Sequence, residues 1–322
     1  MALDLFIWTV SLAIGVVILV KGADLLVEGG GKTAAYFGIP PIVIGLTLFS
    51  FGTSLPELAS SLNAVFKARP SIVLGNVIGS NIANILLVLG VSSLIKPIDV
   101  DRAIIKREIP IMFAAMSFLI LFSFNSIIGR VEGIMLLLAF VGYIGFFVWV
   151  AISEGKKVPI DDKIEQKEYI KSEGYDPKRN VFKVILGLGG IVLGAELMIQ
   201  SAVFYITQFG LSDGVVGLSI IAVATSLPEL AASAVAAYRE EADISLGNVI
   251  GSNTFNILMV LGICATFIPL NFSPEIIPNI LIMIIASVLL TVFMYTGKKL
   301  NRFEGGLMLL GYFVYLFYLY GL

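Results

Sequence analysis

Two glutamates stand inside apolar stretches of the chain, each within nearly the same short motif. Glu57 lies in "FGTSLPELASS" at residues 51–61, and Glu229 lies in "ATSLPELAASA" at residues 224–234. A carboxylate at the centre of a bilayer costs about 2.5–3.5 kcal/mol on insertion scales, so such residues are usually functional. Two of them in matching motifs indicate a shared chemical task.

Oxygen-bearing residues surround the first glutamate at helical spacing. Ser50, Thr53, Ser54 and Glu57 follow the intervals i, i+3, i+4 and i+7, which predicts that they share one face of a helix. Pro56 has no N–H group, so it leaves an upstream carbonyl without its helical donor. A carboxylate, hydroxyls and a released carbonyl form a set of hard oxygen ligands suited to Na+ or Ca2+.

The second copy of the motif supplies a similar set of oxygens around Pro228. It contains Thr225, Ser226 and Glu229, while Ala222 replaces Ser50 and offers only its backbone oxygen. Single serines and threonines in membrane helices often bond back to the backbone, so the two carboxylates carry more of this argument than any hydroxyl.

A second pair of motifs follows each glutamate: "LGNVIGSNIANILLVLG" at 74–90 and "LGNVIGSNTFNILMVLG" at 246–262. Polar side chains spaced by four residues predict one polar stripe in each copy: Asn76, Ser80 and Asn84, then Asn248, Ser252 and Asn256. Small residues beside these stripes are typical of close helix contacts in membranes. They are Gly75, Gly79, Gly247 and Gly251.

The elements that must position these residues are membrane helices. The chain has 322 residues, of which 58% are apolar and only 14% charged, and its mean hydropathy is +0.97. Apolar runs of about 20 residues recur along it, the length that crosses a bilayer as a helix. We predict an all-α membrane protein with ten spans. They lie near 5–28, 40–66, 72–95, 108–125, 130–152, 182–208, 213–238, 244–268, 276–296 and 304–321.

An internal repeat organises these spans. A shift of 172 residues places 37–97 on 209–269 without a gap, with about half of the positions identical. We therefore predict a first half at 1–152, a linker at 153–180 and a second half at 181–322. Each half holds five spans, and an odd number inserts the second half in the opposite orientation. Inverted repeats are common in transporters that work by alternating access.

The distribution of basic residues predicts the orientation of the chain. One set of connections, including the linker, carries most of the lysines and arginines, whereas the other carries only Lys67, Arg69 and Arg130. The basic side is usually cytoplasmic. We therefore expect a multi-pass protein of the cell membrane with a cytoplasmic linker and both termini outside.

The remaining polar groups indicate structural roles. Asp24 and Glu196 match across the repeat, and interfacial or capping contacts are the favoured interpretation for them. Acidic residues of the linker, among them Asp161, Asp162 and Glu165, lack the spacing of a calcium-binding loop. The single cysteine, Cys264, is predicted to be a buried apolar residue, and the chain contains no histidine.

The paired "TSLPE" and "GNVIGSN" segments resemble the two alpha-repeats of the sodium/calcium exchanger family, within the calcium/cation antiporter superfamily. This resemblance covers both halves and is closest to compact prokaryotic members. It implies that Glu57 and Glu229 bind Ca2+ and contribute to Na+ sites. It also implies that six hydroxyls bind Na+: those of Thr53, Ser54, Ser80, Thr225, Ser226 and Ser252. Backbone oxygens of Ser50 and Ala222 would add to these, and the amides of Asn84 and Asn256 would line the centre of the site.

We interpret the chain as a Na+/Ca2+ antiporter, with an H+/Ca2+ antiporter that uses the same glutamates as the alternative. The central pair often includes an aspartate in this family, so two asparagines leave K+ dependence and stoichiometry open. An intramembrane hydrolase fits the oxygen-rich motifs less well. A passive channel is disfavoured by the inverted repeats and by the lack of a ring-forming pore motif. We expect no enzymatic activity, no permanently bound cofactor and no nucleic-acid partner; Na+, Ca2+ and lipid are the expected partners, and the sequence identifies no protein partner.

Overall fold

The computed structural model of the protein describes residues 2–67, 70–102, 104–157, 176–209, 222–272 and 276–320. Seven helical stretches in this part of the chain are long and apolar enough to cross a membrane. They are Asp4–Phe37, Pro41–Phe66, Ile72–Ile95, Arg130–Ser153, Pro177–Met198, Ala242–Phe267 and Ile276–Gly297. The architecture is therefore that of a multi-pass helical membrane protein.

The helices before the linker include short π-helical segments. In chain order they are α1 (Ala2–Phe37), α2 (Pro41–Ile44), π1 (Gly45–Phe49), α3 (Ser50–Thr53), α4 (Leu55–Phe66), α5 (Pro70–Ala83), π2 (Asn84–Val88), α6 (Leu89–Ile95), π3 (Ile104–Glu108), α7 (Ile109–Ser123) and α8 (Arg130–Lys157). Such segments widen the helix by one residue and occur frequently at functional sites.

The helices after the linker follow a similar order. They are α9 (Pro177–Phe209), α10 (Ala222–Thr225), α11 (Leu227–Tyr238), α12 (Ala242–Phe255), π4 (Asn256–Leu261), α13 (Gly262–Phe267), α14 (Ile276–Gly297) and α15 (Arg302–Tyr320). The first residues of the predicted span 213–238 lie outside the described residues.

The two spans that carry the asparagine stripes lie at the centre of the molecule. In both Ile72–Ile95 and Ala242–Phe267, 89% of the most apolar stretch is buried, against 22% in Arg130–Ser153. Their polar residues are therefore enclosed by other helices rather than by lipid.

Helices α1 and α9 pack against each other through glycines. A Cβ atom on Gly22 would lie 2.7 Å from the backbone nitrogen of Ile191, and one on Gly194 would lie 2.6 Å from that of Leu19. Real Cβ atoms do not come this close to backbone, so only glycine allows the observed distance between these helices. This glycine-lined contact is a feature of membrane helix pairs.

Ion pairs tie this helix pair together and to the rest of the protein. Lys183 on α9 lies 2.6 Å from Glu28 on α1. Asp24, also on α1, accepts hydrogen bonds from two nitrogens of Arg239, which directly follows α11. Asp24 thus makes the interfacial contact predicted for it, whereas Glu196 accepts from Gln200 on its own helix.

Two short antiparallel strand pairs connect the parts of the chain on either side of the linker. Strand β1 (Ile98–Asp99) pairs with β4 (Lys299–Leu300), and β2 (Ile127–Ile128) pairs with β3 (Leu270–Asn271). Each pair joins one strand that precedes the linker to one that follows it.

The first helix is longer than the predicted span 5–28, because the glycines at 29–31 do not end it. A Cβ on Gly29 would lie 2.8 Å from the carbonyl oxygen of Asn180, and one on Gly30 would lie 2.7 Å from the ring of Phe49. These glycines are packing positions, and the helix continues to Phe37.

Helices extend into both ends of the segment predicted as the linker, 153–180. Helix α8 continues to Lys157, and α9 begins at Pro177. Asp161, Asp162 and Glu165 lie outside the described residues, so the prediction about them stays a prediction.

Candidate ion-binding site

Each motif glutamate lies in the first turn of a helix that begins at a break in its span. The backbone leaves helical geometry at Ser54 (φ −83°, ψ 2°) and at Ser226 (φ −82°, ψ 0°), and α4 and α11 begin one residue later. The prolines at 56 and 228 occupy the first turn, where a missing N–H costs little. The helix N-terminus also stabilises a carboxylate there.

Both glutamates are fully buried, with an exposed fraction of 0%. Neither oxygen of Glu57 has a hydrogen-bond partner in the described part of the chain, and the same is true of Oε2 of Glu229. Within the described residues, no group of three or more Asp, Glu, His or Cys side chains forms a metal cluster. Among the described residues, hydroxyl and amide oxygens are the groups available to complete a site around the two carboxylates.

Hydroxyls from each motif contact the asparagine stripe of the other half. Thr53 Oγ1 donates to Oδ1 of Asn248 at 3.1 Å and shares a hydrogen bond with Ser252 Oγ at 3.3 Å. The equivalent contacts join Thr225 to Oδ1 of Asn76 and to Ser80, each at 3.3 Å. Four of the six predicted hydroxyls thus come together in two matching clusters.

Asn76 and Asn248 link these clusters to the glutamate helices. Asn76 Nδ2 donates to the backbone oxygen of Glu57 at 3.4 Å and to Ser61 Oγ at 3.1 Å. Asn248 makes the equivalent bonds to Glu229 and Ser233, at 3.5 and 3.0 Å. These asparagines hold the first turn of each glutamate helix in place.

The two central amides, Asn84 and Asn256, lie at the first residue of π2 and of π4 and are fully buried. Asn84 Nδ2 donates to Oδ1 of Asn253, and Asn256 Nδ2 donates to Oδ1 of Asn81. Each central amide therefore contacts the half of the chain to which it does not belong.

Ser50 lies on α3 with Thr53, and the hydroxyls of both residues bond to Asn248 of the other half. Ser50 Oγ donates to the carbonyl oxygens of Gly45 and Asn248, at 2.8 and 3.0 Å, and its own backbone oxygen accepts from the Ser54 nitrogen. The Ser50 hydroxyl therefore acts in helix packing. Because the Ser50 backbone oxygen accepts one hydrogen bond, it keeps a second lone pair that is available to an ion.

The other three members of the predicted set are placed as follows. Ser54 Oγ donates to Oε1 of Glu229 at 3.3 Å, whereas the buried Ser226 Oγ has no partner in the described part of the chain. Ala222 is the first residue of α10, and its side chain lies outside the described part.

Close packing at the predicted glycines is confirmed for Gly247 and Gly251. A Cβ on Gly247 would lie 2.7 Å from the carbonyl oxygen of Ile42, and one on Gly251 would overlap Ser50 Oγ. These glycines let α12 approach π1 and α3 closely enough for the polar contacts to form.

Sequence reasoning missed four polar residues of this network. Ser61, Ser233, Asn81 and Asn253 are all at most 1% exposed, and all bond to members of the predicted set. The repeat contains the signal that could have identified them, because a shift of 172 residues pairs Ser61 with Ser233 and Asn81 with Asn253.

The arrangement suits a hard cation rather than a redox metal or a covalent reaction. Two buried carboxylates supply negative charge, and hydroxyl and amide oxygens supply further ligands, as Na+ and Ca2+ prefer. A cation would offset the cost of burying carboxylate oxygens that lack hydrogen bonds.

Comparison with known proteins shows where this fold and these motifs recur. The family model described as "Sodium/calcium exchanger protein" matches residues 7–149 and 180–321. A putative antiporter, CaxA, from Alkalimonas amylolytica is 35% identical over 97% of this chain and 98% of its own. The sodium/calcium exchanger MaX1 from Methanosarcina acetivorans is 33% identical over 96% of this chain and 97% of its own.

Solved structures extend the similarity to three dimensions. The sodium-calcium exchanger NCX_Mj, in crystals soaked with Na+ and Ca2+, superposes with a TM-score of 0.79 and 31% identity. The match covers 96% of this chain and 97% of NCX_Mj. Together with the family match over both halves, this shows that the chain belongs to the sodium/calcium exchanger family.

Proposed function

We propose that the protein is a secondary antiporter that exchanges Na+ for Ca2+ across the cell membrane by alternating access. The observation that carries this proposal is the pair of fully buried glutamates, Glu57 and Glu229, surrounded by hydroxyls and amides from both halves. Carboxylate oxygens in such a place need positive charge, and a transported cation supplies it.

The proposed ligand set is the one implied by the family resemblance. Glu57 and Glu229 bind Ca2+ and share Na+, so the two ions exclude each other. Na+ additionally uses six hydroxyls, with Asn84 and Asn256 at the centre and backbone oxygens of Ser50 and Ala222 at the edges. The hydroxyls are those of Thr53, Ser54, Ser80, Thr225, Ser226 and Ser252. The buried clusters described above support this assignment. Four of the hydroxyls directly precede a glutamate helix in the chain, and Ser80 and Ser252 bond to two of these four, Thr225 and Thr53.

Coupling to Na+ rather than to protons is supported by the relatives. MaX1 and NCX_Mj are both named as sodium/calcium exchangers. The absence of histidine from the chain also removes the side chain that most often relays protons near neutral pH. An H+/Ca2+ antiporter remains the competing outcome of the experiment below.

The proposed arrangement has ten spans in two inverted halves, 1–152 and 181–322, joined by a linker at 153–180. Matching contacts of Thr53 and Thr225, and of Asn76 and Asn248, support the repeat relationship. The placement of basic residues supports a cytoplasmic linker and external termini. Helices α1 and α9, which pack mainly on each other through glycines, are the candidates for the moving pair.

The test uses purified protein in sealed vesicles. Radioactive Ca2+ uptake should be rapid when Na+ is loaded inside and absent outside, and should not follow a pH gradient alone. Glu57→Gln and Glu229→Gln should each abolish uptake, while Glu240→Gln, at a surface position, should not. Uptake driven by the pH gradient without Na+ would establish the proton-coupled alternative, and normal uptake by either buried variant would remove that glutamate from the site.

A further inference from the structure

Four buried asparagines form a closed set of amide contacts between the two halves. Asn81 Nδ2 donates to the backbone oxygen of Asn253 at 3.2 Å, and Asn253 Nδ2 donates to the backbone oxygen of Asn81 at 3.5 Å. Asn84 Nδ2 donates to Oδ1 of Asn253 at 3.1 Å, and Asn256 Nδ2 donates to Oδ1 of Asn81 at 3.2 Å. We call this set the amide ring.

The environment of Asn81 and Asn253 determines which way round their amides lie. Beyond the backbone oxygens, Asn81 Nδ2 faces the sulfur of Met283 at 3.7 Å, and Asn253 Nδ2 faces that of Met112 at 4.0 Å. A reversed amide would place Oδ1 against a carbonyl oxygen and a sulfur, which are both acceptors. The NH2 groups of Asn81 and Asn253 are therefore fixed toward the backbone oxygens and the sulfurs, and their Oδ1 atoms are fixed toward the central amides.

These Oδ1 atoms in turn fix the two central amides. Asn84 donates Nδ2 to Oδ1 of Asn253, and Asn256 donates Nδ2 to Oδ1 of Asn81. The Oδ1 atoms of Asn84 and Asn256 must therefore point away from Asn253 and Asn81. Both Oδ1 atoms are buried, and neither has a hydrogen-bond partner in the described part of the chain. An amide oxygen binds a cation, whereas an amide NH2 repels one.

We propose that Asn81 and Asn253 are positioning residues that keep the carbonyl oxygens, and not the NH2 groups, of Asn84 and Asn256 directed at the transported cation. This inference rests on the proposed function and assigns a task to two residues outside the ligand set. Asn81 and Asn253 use both polar atoms within the ring, so they act through the central amides and not as ligands.

The first measurement is Ca2+ binding, read as the rise in melting temperature of detergent-purified protein on titration with CaCl2 in Na+-free buffer. Asn81→Leu keeps the approximate side-chain volume and removes the acceptor that orients Asn256. We expect the Ca2+ concentration for half-maximal stabilisation to rise about tenfold or more, as for other residues that orient metal ligands. Asn253→Leu should do the same through Asn84.

A double-mutant cycle separates positioning from a merely structural role. Asp in place of Asn256 presents an oxygen in either orientation, so Asn81→Leu should cost no further Ca2+ affinity in an Asn256→Asp background. The matched cycle combines Asn253→Leu with Asn84→Asp. An equal loss of affinity in both backgrounds, or variants that fail to fold in both cycles, would assign the ring to stability and overturn the proposal.

The readout also distinguishes this inference from the proposed function. Ca2+ binding does not depend on whether Na+ or protons drive transport, so the ring can be tested in either case. Wild-type protein that gains no stability from Ca2+ would overturn both proposals. Wild-type protein that binds Ca2+ while Asn81→Leu and Asn253→Leu bind it equally well would overturn the positioning role alone.

Discussion

Ser54 Oγ lies 3.3 Å from Oε1 of Glu229, so a hydroxyl from one half of the chain donates to the carboxylate of the other. The residues related to them by the repeat are not joined in this way. Ser226 Oγ and both oxygens of Glu57 lack hydrogen-bond partners in the described part of the chain. The two halves thus share a motif, but their carboxylates have different surroundings.

This difference predicts unequal effects of removing the two hydroxyls. Without Na+ or Ca2+, Ser54→Ala should lower the free energy of unfolding by about 0.5–1.5 kcal/mol, the value of an ordinary hydrogen bond, because 3.3 Å is long for a hydroxyl–carboxylate contact. Ser226→Ala removes an unpartnered buried hydroxyl and should leave stability unchanged or slightly raised. Chemical unfolding in detergent measures both, and equal losses for the two variants would contradict the asymmetry.

The glycine contact between α1 and α9 predicts a position-specific effect of an added methyl group. Gly194→Ala would place Cβ 2.6 Å from the Leu19 nitrogen, so we expect a lower melting temperature and slower Ca2+ uptake. Gly189→Ala, on the same helix, meets no atom within 4 Å and should resemble wild type. A wild-type melting temperature for Gly194→Ala would show that these helices are not packed as described.

The proposed orientation predicts opposite accessibility for two connections. Single cysteines at Lys163 and Asn125, in a Cys264→Ala background, should react with a membrane-impermeant thiol reagent from opposite sides of the membrane. Lys163→Cys should react from the cytoplasm, because the linker carries seven of the 21 lysines and arginines of the chain. Reaction of both cysteines from one side would exclude the inverted arrangement.

Shared glutamates predict competition between the two ions. Since Glu57 and Glu229 serve both Na+ and Ca2+ in the proposed mechanism, added Na+ on the Ca2+ side should raise the half-saturating Ca2+ concentration. The dependence on Na+ should have an order above one, because several hydroxyl sites accompany the carboxylates. Initial rates of Ca2+ uptake over a range of both ions provide the measurement. An unchanged Ca2+ dependence would favour proton coupling.

Charge counting predicts that exchange moves net positive charge with Na+. Two ionised glutamates balance one Ca2+ or two Na+, and the proposed hydroxyls provide oxygens for a third Na+. One charge crossing the membrane field is worth about 2.3 kcal/mol per 100 mV. In Na+-loaded vesicles clamped with K+ and valinomycin, an inside-positive potential should speed Ca2+ uptake and an inside-negative one should slow it. Equal rates would indicate neutral exchange of two Na+ for one Ca2+.

Much of the site could be predicted because the motifs that form it occur twice in the chain. Burial of Glu57 and Glu229 followed from their apolar surroundings, and the stripe of Asn76, Ser80 and Asn84 followed from spacing by four. Asn81 was overlooked because it falls outside the spacing by four that relates Asn76, Ser80 and Asn84. Its partners, Asn253 and Asn256, belong to the other half of the chain, and such contacts depend on tertiary packing.

Helix ends were less predictable, because a glycine can either end a membrane helix or allow close packing within it. The run at 29–31 is typical of a helix stop, yet in α1 Gly29 and Gly30 are sites of close approach by Asn180 and Phe49. Conversely, "TSLPE" indicated a disturbed helix without showing which residue leaves helical geometry. The structure places this break at Ser54, which turns Glu57 from a mid-helix residue into one at a helix N-terminus.

The exchange of bonds between Asn81 and Asn253 has a consequence for how the two halves become stable. In the described part of the chain, Asn84 finds its acceptor in the second half and Asn256 finds its acceptor in the first. Either half on its own would leave these amide groups unpaired in the membrane, where an unpaired polar group is costly. The two halves therefore depend on each other for the stability of their central residues.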